Sequence, residues 1–288
     1  MTEHVRADAD AIVIRGEDGI RASEVVVGAA TDVGRLRTIN EDGYLAIAPA
    51  FVVVDGMGGH AAGRMATQVA LDSLYSLAGA TITDVDTVVR AVVAAQEAII
   101  AIPSHAAYLP GATIAGVILT WIPDEQGVTR PTWVIFNIGD ARVYLLRGDM
   151  LSQVTRDHSR VQILIETGEL TPEQARRDSR RNIVTRALGG GIADSGVPDL
   201  YSVPVAAGDR LLICSDGLSD ELDDEAIATV LAAGYTAQRT AELLVAASLE
   251  GGGHDNTTAV VVDCLQVPTS LPAVPVAVPD GTGTQGAQ

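Results

Sequence analysis

Four aspartates stand where a hydrophobic, strand-like run gives way to glycine or asparagine: Asp55 in F-V-V-V-D-G-M-G-G-H (51–60), Asp140 in I-G-D-A (138–141), Asp216 in C-S-D-G (214–217) and Asp255 in D-N-T-T (255–258). A sheet that gathers strand ends at one edge would bring these carboxyls together, and they repel unless protons or cations neutralise them. Ligands that are all oxygen select hard cations, Mg²⁺ or Mn²⁺, over zinc. Two or more such ions about 4 Å apart can lower the pKa of a water between them and clamp the oxygens of a phosphate monoester. The chemistry implied is hydrolysis by a metal-activated water. Taken alone, D-G-M-G-G-H reads equally well as a turn held by a satisfied aspartate, so the inference rests on the four sites jointly. There is no Gly-Lys-Ser/Thr phosphate loop, and neither cysteine has the glycines and arginine of a thiol-phosphate loop.

The elements that must position these acids follow from the pattern. Val52, Val53 and Val54 are continuous and β-branched, which predicts a strand buried on both faces; Gly56, Gly58 and Gly59 permit a tight turn, and a helix begins near Ala61 and runs to about Leu77. Further strands are expected at 25–30, 44–48, 112–120, 132–137, 142–147, 211–214 and 259–263. Thr83 with Asp86 reads as the cap of a second helix reaching about Ile102, and helices are expected at 224–232 and 236–250. Residues 155–190 hold seven of the 19 arginines in what reads as a short helical stretch opened by a Thr171-Pro172-Gln174 capping box. Residues 1–23 read as a weakly ordered lead-in with a short extra strand at 11–14, and the Pro/Gly/Thr/Ala-rich residues 267–288 as a disordered tail.

Composition narrows the classes. At 288 residues and 47% hydrophobic, the chain can bury a large core, read here as one domain over 24–266. A net charge of −18 disfavours nucleic-acid and membrane-surface binding, although metal ions can locally reverse the sign for a phosphorylated ligand. Every basic residue is arginine, the planar fork suited to phosphate. Cys214 and Cys264 sit in apolar runs and imply no disulfide. Met1 to Asp10 lacks the apolar segment of a secretory signal and the longest uncharged apolar run, 111–122, is short for a membrane span, so a soluble, cytoplasmic chain is expected; a monomer is expected as well.

R-x-x-N-E-D at 37–42, D-G-M-G-G-H at 55–60, G-D-A-R at 139–142, T-R-D-H-S at 155–159, C-S-D-G at 214–217 and D-N-T-T at 255–258 together resemble the ordered motif set of metal-dependent Ser/Thr protein phosphatases of type 2C in their compact bacterial form. The likeness covers roughly residues 24–264. It implies an α+β fold, a four-layer α-β-β-α sandwich of two mainly antiparallel sheets flanked by helices. It implies hydrolysis of phosphoserine and phosphothreonine on proteins, in opposition to bacterial Ser/Thr kinases, with two core Mg²⁺ or Mn²⁺ ions and a weaker third. Asp55 would bridge the core metals, the Gly56 carbonyl would bind one of them, and Asp216 and Asp255 would complete the other. Asp140 with Asp216 would hold the third ion, while Glu41 and Asp42 would act through waters on the metals. Arg37 would grip the substrate phosphate as a fork, and His60 would protonate the leaving seryl or threonyl oxygen. Residues 155–190 correspond to the flap beside the active site; phosphopeptide docking and a merely solvated face are equal readings of their charge. Arg64, Ala141 and Ala112 depart from the family pattern, which commonly has Glu, Ser and Thr there, and bear on rate and packing rather than on the reaction. The alternative is a catalytically weak module that keeps the fold and binds phosphoproteins or a regulatory partner; retention of all four acids argues against it. His158 and His254 read as structural loop histidines, Asp157 as a turn residue and Ser159 as a helix cap.

If His60 is the general acid, His60→Ala slows phosphothreonine peptides far more than aryl phosphates, by roughly 10²–10⁴-fold against a much smaller loss, because a good leaving group needs little protonation. Steady-state kinetics on both substrates decide it, and equal losses would remove His60 from that role.

Overall fold

Along the run that ends at Asp55, side chains alternate between two apolar layers: Phe51 and Val53 enter one core, Val52 and Val54 another, and all four are fully buried. A continuous apolar run is thus explained by burial on both faces, although every pairing of this strand is antiparallel.

The computed structural model describes residues 12–15, 22–59, 61–103, 109–123, 127–193 and 196–267. The strands are β1 (Ile12–Arg15), β2 (Ala22–Asp32), β3 (Asp42–Ile47), β4 (Ala50–Met57), β5 (Gly111–Pro123), β6 (Thr129–Ile138), β7 (Arg142–Arg147), β8 (Met150–Gln153), β9 (Leu188–Gly189), β10 (Asp199–Pro204), β11 (Arg210–Cys214) and β12 (Thr257–Gln266). The helices are α1 (Ala61–Leu74), α2 (Val85–Ile100), α3 (Arg160–Glu166), α4 (Pro172–Ala175), α5 (Asp216–Ser219), α6 (Asp224–Leu231) and α7 (Ala237–Gly251). One sheet runs β1-β2-β12-β11-β7-β8 and the other β10-β6-β5-β4-β3, with β9 added beside β5. Helices α1 and α2 cover the second sheet, helices α5 to α7 cover the first, and the two sheets face each other across Phe51, Val53, Val117, Trp133, Ile135, Ile213 and Val260. This is the expected α-β-β-α sandwich.

Several boundaries differ from the sequence expectation. The cap of α2 is Asp84, whose carboxylate accepts from the Thr87 amide at 2.7 Å, so the helix starts one residue later than a Thr83 cap would allow. Residues 155–190 hold two short helices joined by turns, with β9 near their end, rather than one helical stretch, and the Thr171 capping box is as expected. Strands β8 and β10 escaped the pattern because they are edge strands with half-exposed, alternating faces. The extra strand near residue 11 is β1, paired antiparallel with β2. The rest of the lead-in before residue 22, His60 and the tail beyond Val267 lie outside the described residues.

Because Phe51 fills the layer between the sheets, Phe51→Ala should cost about 3–5 kcal/mol of stability, whereas Met150→Ala, at a side chain 70% exposed, should change it by less than about 0.5 kcal/mol. Denaturant midpoints check both, and comparable losses would contradict this placement of the core.

Candidate metal and phosphate site

Antiparallel pairing sets Asp55 of β4 directly opposite Asp42 of β3 on one side and Thr113 of β5 on the other. Glu41 immediately precedes β3, and its amide hydrogen-bonds the Asn256 side chain at 2.8 Å. From the other sheet come Asp216, one residue past Ser215 at the end of β11, and Asp255, just ahead of β12. Asp140 sits in the turn that carries the chain from β6 in one sheet to β7 in the other. The acids singled out in the sequence therefore meet at one edge of the sandwich.

Glycine makes the approach of α1 feasible. A Cβ on Gly56 would lie 2.4 Å from the Gly63 carbonyl oxygen, and one on Gly63 would lie 2.6 Å from Glu41 Oε1. The Gly56 amide donates to the Glu41 carbonyl at 3.2 Å, and Thr67 of α1 donates its hydroxyl to the same oxygen at 2.6 Å. Asp42 ties the two sheets together: its Oδ2 accepts from Ser215 Oγ and from Thr258 Oγ1, each at 2.7 Å. Its Oδ1 is buried with no donor in reach, while the carboxyl as a whole lies within hydrogen-bonding distance of Asp55.

Like charge crowded by protein pushes these carboxyls up. Asp55 is held well above the ordinary carboxylate range by burial and then by the charges of Asp42, Asp216 and Asp140. Asp216 is pushed up to about 7 by burial and then by Asp220 and Asp255. Asp42 reaches about 6 through burial, partly offset by the Ser215 and Thr258 hydroxyls. Asp140 is raised well above its ordinary value by burial and the charges of Asp216 and Asp157. Asp55 and Asp216 still keep part of their surface open to solvent, as the floor of a cleft does. The direction of each shift follows from crowding and repulsion together.

Two carboxylates in contact need a proton or a cation between them, and an orphaned buried carboxylate oxygen beside them is a free acceptor. The donor set is all oxygen, which fits Mg²⁺ or Mn²⁺. Among the described residues no three His, Cys, Asp or Glu side chains form a ready cage for one ion. The contacts of Asp55 with Asp42 and Asp216 carry more weight here, because Mg²⁺ commonly takes only one or two carboxylates and keeps several waters.

Arg37 joins the acids directly: its Nη2 donates to Asp255 Oδ2 at 2.6 Å, with the side chain 48% exposed at the rim. His60 lies outside the described residues. His254 contacts Glu221 Oε1 through Nδ1 at 2.6 Å, Ser159 caps α3, and Cys214 and Cys264 are buried free thiols. Asp157 is more than a turn residue, since Arg142 grips both its oxygens. Ala112 and Ala141 are fully buried. The arginines of 155–190 are largely engaged within the chain: Arg156 with Glu166, Arg180 with Asp178, Arg181 with Asp220, Arg186 with Asp199, and Arg176 on the Ser219 and Asp220 carbonyls. Sequence reasoning missed Asp220, Ser215, Asn256 and Thr258. The last three stood inside the motifs C-S-D-G and D-N-T-T, where attention fell on the acid alone.

The sequence model of the family described as protein phosphatase 2C matches residues 38–251. The serine/threonine protein phosphatase PstP of Mycobacterium tuberculosis (strain ATCC 25618 / H37Rv) is 37% identical over 249 residues, covering 82% of this chain and 44% of that protein, so the chain spans less than half the length of this relative. The serine/threonine phosphatase stp of Listeria innocua is 33% identical over 243 residues, covering 81% of this chain and 93% of that protein. Among solved structures, that of the M. tuberculosis phosphatase PstP/Ppp superposes with a TM-score of 0.75 at 35% identity over 84% of this chain and 99% of the other. The catalytic domain of PstP in complex with two manganese ions gives 0.73 at 34% identity, with the same coverage.

The raised carboxyls have a consequence for stability. The folded chain holds protons on Asp42 and Asp216 up to about pH 6 and about 7, which the unfolded chain releases near its ordinary value of 3.8, so between these limits the folded state binds more protons and stability falls as pH rises. In EDTA, Tm should therefore rise when pH is lowered from about 8 to about 6, and Asp216→Asn should be more stable than wild type at about pH 8 with a flatter profile. Saturating Mn²⁺ should reverse the slope, because metal requires the deprotonated ligands. A wild-type Tm in EDTA that falls over this range, or an Asp216→Asn profile that parallels it, would contradict the shifts.

Proposed function

Because the chain belongs to the protein phosphatase 2C family, we propose that it is a Mg²⁺- or Mn²⁺-dependent phosphatase that hydrolyses phosphoserine and phosphothreonine monoesters on proteins. The observation that carries this reading is the convergence of Asp42, Asp55, Asp140, Asp216 and Asp255 from both sheets on one oxygen-rich floor. Asp55 with the Gly56 carbonyl, and Asp216 with Asp255, would hold the core ions; Asp140 with Asp216 would hold a weaker third; and Glu41 and Asp42 would act through waters on the metals. A divalent cation supplies, when bound, acidification of water and neutralisation of phosphate charge. The manganese ions of the PstP catalytic domain support this choice of cofactor.

The protein's own groups then have distinct tasks. Arg37, at the rim, presents a planar fork that matches two phosphate oxygens, and turning from Asp255 to a phosphate keeps it ion-paired throughout. His60 protonates the leaving seryl or threonyl oxygen. Ser215 and Thr258 hold Asp42, and Asn256 holds Glu41, so the acids keep their places as charge is neutralised. The substrates would be phosphorylated proteins, Ser/Thr kinases among them, met in the cytoplasm by a monomer. A charge of −18 supports the exclusion of nucleic acid, and among the described residues no helix is long and apolar enough to cross a membrane.

Hydrolysis of an aryl phosphate and of a phosphothreonine peptide that requires Mn²⁺ and stops in EDTA is the expected result, and its absence would sink the reading. Asp216→Asn and Asp140→Asn should then differ in kind. Asp216 serves both the core pair and the third ion, so its loss should lower turnover more than about 100-fold even at saturating Mn²⁺, beyond the 10–100-fold typical of losing an outer partner. Asp140→Asn should lower turnover by about 10–100-fold while Mn²⁺ still raises Tm as in wild type. Near-normal turnover in Asp216→Asn would refute the multi-metal arrangement.

A further inference from the structure

His158 is buried, lies outside the carboxylate floor and has no part in the steps above. The Gly139 amide points at its Nδ1 at 3.0 Å, and the His158 amide donates back to the Gly139 carbonyl at 2.8 Å. A backbone N–H can only donate, so Nδ1 carries no proton and the neutral ring keeps its proton on Nε2. That nitrogen faces Asp199 Oδ2 at 3.2 Å, and an ionised carboxylate can only accept. Arg186 Nη1 also comes within 3.3 Å of Nε2, but two donors cannot bond to each other. The guanidinium instead serves Asp199 Oδ1 and the Val197 carbonyl, each at 2.6 Å. Arg186 thus fixes Asp199, Asp199 fixes the imidazole tautomer, and the imidazole receives the Gly139 amide.

What this chain of contacts holds is the turn that presents Asp140. Gly139 has φ +103°, and a Cβ there would lie 2.3 Å from Thr113 Cβ, so β5 walls the turn on one side and His158 on the other. Asn137 Nδ2 adds a bond to the Arg156 carbonyl at 2.9 Å, joining the end of β6 to the segment that carries His158.

We infer that His158, fixed as the Nε2–H tautomer by Asp199, is a positioning residue that pins the Gly139–Asp140 turn and thereby sets where the Asp140 carboxyl stands. Its effect on turnover rests on the phosphatase reading; the tautomer and the turn do not. Burial lowers the imidazole pKa, and the charges of Arg186 and Arg156 act in the same direction against Asp199. The acceptor form accordingly persists at neutral pH. On protonation Nδ1 becomes a donor facing a donor, and the turn loses its clamp in acid.

Ring ¹⁵N spectra of the full chain at about pH 7.5 test the inference before any substitution is made. They should show His158 protonated on Nε2 alone, and an Nδ1–H ring or an imidazolium would overturn it. Amide exchange and two variants, His158→Asn and His158→Gln, provide the second arm. The asparagine side-chain oxygen can stand where Nδ1 stands, while the longer glutamine side chain carries its oxygen past that point. In His158→Gln the Gly139 amide should exchange at least about tenfold faster, and in His158→Asn most of that protection should return. Under saturating Mn²⁺ the same ordering should appear in kcat with KM little changed, and any acid limb of the kcat profile that belongs to His158 should vanish in His158→Asn. Equal Gly139 exchange in the two variants would overturn the inference. A wild-type protein with no Mn²⁺-dependent hydrolysis would sink the phosphatase reading, while the spectra and exchange rates still decide the tautomer and the turn.

Discussion

The rest of the structure depends on holding several carboxylates of like charge in contact at one edge of the sandwich. Two unit charges about 4 Å apart repel by about 4 kcal/mol at an effective dielectric of about 20, a sizeable share of the 5–15 kcal/mol by which a domain is stable at all. Asp55, opposite Asp42 in the ladder and in contact with Asp216 from the other sheet, would be pushed out to solvent if its strand were free to move. It is not free, because both faces of β4 are packed, Val52 and Val54 against the helices and Phe51 and Val53 against the opposite sheet. The apolar layers supply the force that keeps the acids where electrostatics alone would not.

Packing fixes strands but not loops, and the loop that carries Arg37 and Glu41 is held by hydrogen bonds, three of them to one side chain. Asn256 receives the Glu41 amide on its oxygen and donates its nitrogen to the Val33 and Ile39 carbonyls at 2.8 and 3.0 Å. Gly34 closes the same loop, since a Cβ there would lie 2.3 Å from the Asp255 carbonyl oxygen. Arg37, Glu41 and Asp255 therefore share one support at the start of β12. A substitution at Asn256 would unseat three hydrogen bonds at once, one of them buried and two part-buried, which places this amide among the residues on which the site's geometry depends.

How much of this was legible in the sequence depends on whether the signal was local. The acid at the end of each strand was legible, because an apolar run meeting Asp-Gly is a pattern within a few residues, as at Val54-Asp55-Gly56 and Cys214-Ser215-Asp216. Burial of that strand on both faces was also legible, in the unbroken apolar run at Val52 to Val54, whereas the four layers came only from the likeness of the motif set to type 2C phosphatases. The Asp42 clamp was not, because Ser215 and Thr258 lie 173 and 216 residues away and only the meeting of two sheets brings their hydroxyls to one oxygen. Asp157 read as a turn residue because it stands in a loop and its partner Arg142, 15 residues earlier, opens β7. Strands β8 and β10 were missed because a half-exposed edge strand leaves no apolar run to see.

The arginines sort the acids into two kinds. Asp157, Asp209 and Asp263 each receive a guanidinium fork, from Arg142, Arg147 and Arg210, and Asp199 a single bond from Arg186; none of the four is a floor acid. Among the described residues Asp42, Asp55, Asp140 and Asp216 make no ion pair with arginine, and Asp255 alone touches one, the half-exposed Arg37 at the rim. Arginine suits the outer acids because a planar fork satisfies two carboxylate oxygens at once, as Arg210 does for Asp263, where an ammonium would serve as a single point. If forks reached the floor as well, they would neutralise it permanently and leave no acceptor for a mobile cation. Left without forks, the floor acids would keep their charge available to the divalent ions proposed for them, at a cost in stability that the apolar layers above and below can carry.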